Sequence, residues 1–402
     1  MIRTVLILLI VPVLSAAMFW KFNNQMSRLI NVDANEKDVI RLFFCGDVMT
    51  GRGIDQILPH PGNPELHESY MKNARGYVNL AEMKNGNIPY PVDFNYIWGE
   101  ALYYWNKFNP DIKIINLETS ITTSDYFWPN KAVNYRMSPE NIRCLTEPDI
   151  DFCALANNHI LDFDQEGLAQ TTQILKNAGI SFSGCGKNLE EARKPAIVNI
   201  SGKGRVIIFS IGMGTSGIPH VWAASSQKPG VFLPSSDQEL LDFLQGYLES
   251  FRQINDVVVT SIHWGSNWGY DIPMKQTKLA HRLIDEVGVD VIHGHSSHHF
   301  KGIEIYNNKP IFYGSGDFIN DYEGIQGHET YRGDLTLMYF VDLSFPERKL
   351  QRLILIPLKI KKMQLQNASA REIQWAFKIL NREGEKLQSN FKLIDKNSIE
   401  LN

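Results

Sequence analysis

An α/β fold is predicted by two features of this sequence. Short apolar runs rich in Val, Ile and Phe recur along the chain, and segments with helical spacing separate them. Most of the runs end in a carboxylate, a carboxamide or an imidazole, and ligands of α/β sheets collect beyond the carboxyl ends of strands.

The runs come in the order RLFFCGD, IKIINLE, IDFCALANNH, RVIIFSIG, DVVVTSIHWG, VDVIHGH and KPIFYGSGDF. Each is four to eight residues long in its apolar part, the length of a buried strand. Between them, DQEGLAQTTQILKNAGI sets Leu168, Thr171 and Leu175 at helical spacing, with Gly179 placed to close the helix. KQTKLAHRLIDEVGVD repeats this with Leu279, Leu283, Ile284 and Gly288. From residue 347 onward the pattern changes. KLQRLILIPLKIKKM reads as one long strand or a strand pair. Ser369 with Glu372 forms a capping box ahead of a helix carrying Ile373, Ala376, Phe377 and Leu380. FKLIDKNSIEL reads as a terminal hairpin.

The chain start is of another kind. Arg3 is followed by seventeen uncharged, mostly apolar residues before Lys21. That length is at the lower edge of a membrane span. Phe19 and Trp20 beside Lys21 resemble an interfacial anchor, whereas Ser15-Ala16-Ala17 would suit signal cleavage. The expected organisation is a membrane helix or signal segment at 1–22, a polar linker at 23–37, a main domain at 38–346 and a strand/helix extension at 347–402. The main domain is then extracytoplasmic, tethered by one pass or secreted after cleavage.

Composition excludes several classes. A formal charge of −4 with 44% hydrophobic residues leaves no basic surplus for nucleic acid. The four cysteines have no CxxC spacing for a structural zinc knot, and Cys45 and Cys153 fall in apolar runs as buried thiols. No G-x-x-x-x-G-K-[ST] loop occurs, so the phosphate cradle of many ATP-dependent ligases is missing.

The strand ends carry the chemistry. They deliver Asp47; Asn116 and Glu118; Asn157, Asn158, His159 and Asp162; His263; His293, His295, His298 and His299; and Asp317 with Asn320 and Asp321. The segment HGHSSHH packs four of the chain's eleven histidines into seven positions. Imidazoles together with carboxylates are the donor set for Zn, Mn or Fe. Two such ions about 3.5–4 Å apart can clamp a phosphoryl oxygen and make hydroxide at neutral pH.

GDVMTGRG, NLETSI, LANNHILDF, SIHWGSNWGY, HGHSSHH and FYGSGDFIND, taken together and in this order, resemble the motifs of the CapA-type family of capsule-synthesis and poly-γ-glutamate-biosynthesis proteins. The resemblance spans roughly residues 40–345. It implies a four-layered α/β/β/α metallophosphatase-like sandwich with a site for two divalent metal ions. By motif position, the implied ligands are Asp47, Glu118 as the bridging carboxylate, Asn158, His263, His295 and His298. His159 is implied as general acid or phosphate-positioning group, with Asp162 orienting it or capping the next helix. Arg52 is implied as an anion-binding residue. Asn116, His293, His299 and Asp317 are expected to support the ligands or face substrate. Asp47-Val48-Met49 replaces the Asp-x-His of the wider metallophosphatases, and methionine is a poor ligand for a hard ion. The implied activity is hydrolysis of a phosphoester or polymer amide, or else a non-catalytic role in polymer export. The expected partners are the membrane, through the N-terminal segment, and, as the resemblance implies, other polymer-synthesis or export subunits.

Overall fold

The computed structural model describes residues 39–402. The segments expected at 1–22 and 23–37 lie outside these residues. Two large sheets carry most of the described chain, beside two small two-stranded ones. In the larger, the strands Val39–Val48, Ile112–Leu117, Phe152–Ala154 and Ser181–Ser183 run parallel. In the smaller, Gly204–Gly212, Val257–His263, Val291–His295 and Lys309–Phe312 run parallel, edged by the antiparallel strands Ala196–Ile200 and Ile303–Tyr306.

The apolar runs are continuous because both faces of each sheet are covered. Successive side chains point to opposite faces. Ile40, Leu42 and Phe44 therefore enter a core that also holds Val206, Ile208, Val257 and Val259 from the other sheet. Phe43 and Cys45 point the other way, onto the helices Arg75–Asn85, Ala101–Phe108 and Asp164–Asn177 through Tyr77, Trp105 and Leu168. On the far side, Ile207, Phe209, Val258 and Ile262 meet Leu240, Leu244, Leu279 and Leu283 of the helices Asp237–Phe251 and Met274–Asp285. Three cores thus separate four layers: helices, sheet, sheet, helices.

The two helices read from periodicity occupy Asp164–Asn177 and Met274–Asp285, followed by Gly179 and Gly288 at φ +76° each. The segment after 346 is built into the main body, and no division of the contact pattern falls at that position. Leu350–Ile360 is one long strand, antiparallel to Leu335–Ser344 inside the larger sheet. The hairpin Phe391–Leu393 with Ile399–Leu401 extends the same sheet. The helix Ala370–Glu385 starts at the Ser369–Glu372 capping box and sends Ile373, Ala376 and Leu380 into the inter-sheet core. A sequence window cannot show that this segment supplies strands to a sheet begun 300 residues earlier, since pairing is non-local.

KPIFYGSGDF, read as a single strand end, makes a crossing instead. Lys309–Phe312 lies in the smaller sheet, and Asp317–Ile319 pairs with Val39–Val48 in the larger. The turn between them joins the sheets, with Gly316 at φ +79° and its carbonyl accepting from Asp47 N–H at 2.8 Å. Among the described residues no helix is long and apolar enough to cross a membrane.

Candidate metal centre

The carboxyl ends of the parallel strands of both sheets meet at one place. Asp47 is in register with Asn116 on one neighbour and Asp317 on the other. His263 is in register with His295 across the smaller sheet. The site is therefore a product of strand register, assembled from chain positions up to 270 apart (47 to 317).

Asp47, His263 and His295 each offer an atom within 4.8 Å of the others, and so do Asp47, His298 and Asp317. Asp47 is common to both groups. Asn116 donates to Asp47 Oδ1 at 2.7 Å and His295 Nδ1 lies 3.8 Å from the same oxygen. His263 Nδ1 approaches His295 Nδ1 to 2.8 Å, while its Nε2 is 3.0 Å from Asn158 Oδ1 and 3.9 Å from Glu118 Oε1. His298 Nδ1 meets Asp317 Oδ1 at 2.9 Å.

The donor set fits a divalent cation. Asp47, Glu118 and Asp317 are all buried. Asp47 Oδ2 and Glu118 Oε2 accept from no donor group among the described residues, and the two carboxyls lie against one another. Burial first, and then the neighbouring Asp317 carboxylate, pushes Asp47 up to about 7. Burial, with Asp47 and Asp317, raises Glu118 well above its ordinary range. Burial also drives His263 and His295 far down, so both imidazoles are neutral and able to ligate. Burial pulls His298 down as well, but the adjacent Asp317 more than offsets it. Buried acids that cannot all ionise together, set against neutral imidazoles, make an arrangement that a cation would relieve.

The structure gathers Asp47, Asn116, Glu118, Asn158, His159, Asp162, His263, His293, His295, His298 and Asp317 into one network. Asp317, read as a supporting group, lies among the candidate ligands. The position shared by both groups is held by Asp47, whereas the resemblance put Glu118 there. His159 Nε2 is 3.8 Å from Glu118 Oε1, and its Nδ1 is 2.5 Å from Asp162 Oδ2. The His159 ring stacks on Tyr135 with centroids 3.8 Å apart. Asp162 also accepts from Tyr135 N–H at 2.7 Å, so it orients His159 and does not cap the helix that begins at Asp164.

Two residues do not join the network as expected. Arg52 is buried, and its guanidinium is taken up by Asp321 at 2.5 Å, Glu68 at 2.9 Å and the Tyr77 hydroxyl at 2.9 Å. Two carboxylates already take up its charge, and the residue also lines the cleft that holds His298 and Asp317. His299 is enclosed by Trp268, Tyr270 and Tyr331 and belongs to neither ligand group. Trp264 is core, with its indole N–H on the Tyr313 carbonyl at 3.0 Å. All four cysteines are free and buried.

Sequence reasoning missed Lys131 and Ser261. Lys131 donates to Asp162 and to the Asn158 carbonyl, and its Nζ is 2.9 Å from His159 Nδ1. It comes from a loop without periodicity, so nothing in the sequence marked it. Ser261 precedes His263 by two on a strand and so shares its face, which could have been read. A cleft of about 470 Å³ opens beside the network, lined among others by Tyr135, Trp268, His298, Asp317, Asn320 and Tyr322.

A two-sheet α/β body with carboxylates and imidazoles at the meeting strand ends defines a class of proteins with a candidate metal centre. The chain belongs to the bacterial capsule synthesis protein family PGA_cap, whose model matches residues 41–322. It is 45% identical over 351 residues to a probable polyglutamine synthesis accessory protein of Mycobacterium tuberculosis, covering 87% of this chain and 92% of that one. It is 24% identical over 312 residues to the PGA biosynthesis protein CapA of Bacillus subtilis (78% and 70%), and 22% over 316 residues to the capsule biosynthesis protein CapA of Bacillus anthracis (79% and 68%). The crystal structure of a novel phosphatase from Mycoplasma pneumoniae aligns with TM-score 0.43 and 12% identity over 84% of this chain and 97% of that one.

Proposed function

We propose that this chain is a metal-dependent hydrolase-type protein of capsule or poly-γ-glutamate synthesis, on a metallophosphatase-like scaffold, acting on a phosphoester or a polymer amide. The observation that carries this reading is the burial of Asp47, Glu118 and Asp317 together, against neutral His263 and His295. Asp47, His263, His295, His298 and Asp317 would hold the metal, with Asn158 and Glu118 alongside. A divalent pair there would polarise a phosphoryl or carbonyl oxygen and acidify water.

The protein's own groups supply the rest. His159 presents Nε2 toward Glu118 while Asp162 holds Nδ1, so a proton can be moved at Nε2 with the ring fixed. Tyr135 against the His159 face keeps the ring from rotating. Substrate enters by the cleft at His298 and Asp317.

We place the body outside the cytoplasmic membrane, tethered through residues 1–22 or released after them. The support is Arg3 followed by the apolar run. A tryptic peptide spanning Ala17 in the mature protein decides for the tether.

Full-length protein should contain Mn, Zn or Fe by elemental analysis, and should hydrolyse a generic phosphodiester or a γ-glutamyl chain. Bound metal with no turnover of either substrate class would sink the hydrolase reading. A second reading, a non-catalytic export or assembly subunit working with other polymer-synthesis subunits, is favoured by Met49 in the first motif and by the word accessory in the name of the mycobacterial relative. Polymer export that persists in a variant lacking both Asp47 and His263 would decide for it.

A further inference from the structure

The histidines of the smaller sheet are joined to the larger sheet by a chain of hydrogen bonds whose direction is set at one end. The chain begins at the backbone carbonyl of Cys45, which can only accept. His293 Nε2 lies 2.7 Å from it, so that nitrogen carries the hydrogen. His293 is fully buried, and its hydrogen-bond partners among the described residues are the Cys45 carbonyl and Ser261 Oγ, with no carboxylate to hold a positive charge. The ring is therefore neutral, and its Nδ1 is an acceptor. Ser261 Oγ lies 3.0 Å from that Nδ1 and has to donate to it.

A hydroxyl has one hydrogen to give. The second contact of Ser261 Oγ, 2.9 Å to His295 Nε2, must then run from the imidazole to the oxygen. His295 Nε2 carries the hydrogen, and Nδ1 keeps its lone pair. That Nδ1 is the atom 2.8 Å from His263 Nδ1 and 3.8 Å from Asp47 Oδ1.

Strand register builds this relay. Ser261 pairs with His293, and two residues on, His263 pairs with His295. The period of two puts Ser261 and His263 on one face of their strand, and His293 and His295 on one face of theirs. Gly294 between the two histidines leaves no room for a side chain: a Cβ there would lie 2.4 Å from the Phe312 carbonyl oxygen.

We propose that Ser261 and His293 are positioning residues that fix the tautomer of His295, so that a lone pair and not an N–H faces the cation-holding cleft. The proposal rests on the metal reading given above. Run in the opposite direction, the chain would put a hydrogen on His295 Nδ1 and block ligation by that atom. In the direction set by Cys45, a bare nitrogen faces a carboxylate, an arrangement that favours a cation between them.

The test reads the tautomer directly. Two-bond nitrogen–proton correlation spectra of the metal-stripped, ¹⁵N-labelled full-length protein should show His295 with its hydrogen on Nε2. Ser261→Ala should release the preference and weaken binding of Mn²⁺ or Zn²⁺ by about 10–100-fold, the usual effect of losing such a partner. Wild-type His295 with its hydrogen on Nδ1 would overturn the proposal, and this needs no variant to fold. Ser261→Ala with unchanged tautomer and unchanged affinity would overturn it too. A wild type that shows the Nε2 hydrogen yet takes up no metal would remove the hydrolase reading and leave the relay standing.

Discussion

Asp47 and Asp317 stand side by side, in direct register on adjacent parallel strands of the larger sheet. Two carboxylates buried in this way resist joint ionisation. Burial and the Asp317 charge hold Asp47 up to about 7, well above the ordinary aspartate value near 4. The folded, metal-free protein therefore keeps a proton that the unfolded chain gives up. The sign follows: stability tied to this group is full below about pH 4 and is lost as pH rises through about 7. The buried neutral His263 and His295 push stability the other way over part of this range, so the Asp47 contribution is read against Asp47→Asn: relative to that variant, metal-stripped wild type should lose stability between about pH 5 and pH 8. Binding of metal near pH 6 should also release protons, measured by calorimetry in buffers of different ionisation enthalpy. Release should shrink toward about pH 8, and release that stays constant across that range would contradict the assignment.

The pair His159–Asp162 gives a second prediction. Asp162 accepts from His159 Nδ1, and Lys131 holds the other oxygen of the same carboxylate. Asp162→Asn keeps the shape but can turn an N–H toward Nδ1, which forces the other tautomer. Turnover should fall by about 10²–10⁴-fold, the range for a positioned acid or base. Metal content should not change, because Asp162 lies in neither ligand group. A matching loss of metal would mean that Asp162 serves the ligands and not the proton.

Arg52 separates a structural ion pair from an anion site. Its guanidinium is sandwiched by Asp321 and Glu68 and lies 3.9 Å over the Tyr77 ring. Arg52→Met leaves two buried acids without a partner and should cost about 3–5 kcal/mol in urea denaturation. Arg52→Lys cannot reproduce the fork that meets Asp321 with two nitrogens and should also destabilise. If Arg52 instead binds the substrate anion, KM rises with little change in the denaturation midpoint.

Much of the site was legible because strand ends in an α/β sheet are local features. Asp47, His263 and His295 each directly follow or end an apolar run, and each does so for the same physical reason. What the sequence could not supply was which strand ends touch. That is why Asp317 looked peripheral: its run is read as one strand, and only the crossing between sheets brings it beside Asp47. Arg52 follows the first motif, but the carboxylates that take up its charge lie 16 and 269 residues away and no local pattern announces them. Lys131 sits in a loop whose position is set by contacts with Asp162 and Trp222 and by no periodicity of its own. The strands after residue 346 carried clear local signals but gave no clue that they complete the larger sheet.

Gly46 packs directly against the crossing turn at Gly316, and this gives the last prediction. A Cβ on Gly46 would lie 1.8 Å from the Gly316 carbonyl oxygen and 2.5 Å from its carbon. Neither atom is a side-chain tip that could swing away. The same carbonyl accepts Asp47 N–H, so pushing it back moves the shared acid of both candidate ligand groups. Gly316 itself sits at φ +79°, where few residues other than glycine are at ease, which restricts how the turn can yield. Gly46→Ala should therefore lose about 3 kcal/mol from overpacking, and metal affinity with it. Gly179→Ala is the control. Gly179 has φ +76° but nothing within 4 Å of a built Cβ, so only backbone strain applies, about 1 kcal/mol, with metal affinity unchanged. Equal losses of stability in the two variants, read from urea midpoints, would show that the turn tolerates the methyl group and that Asp47 is not fixed by it.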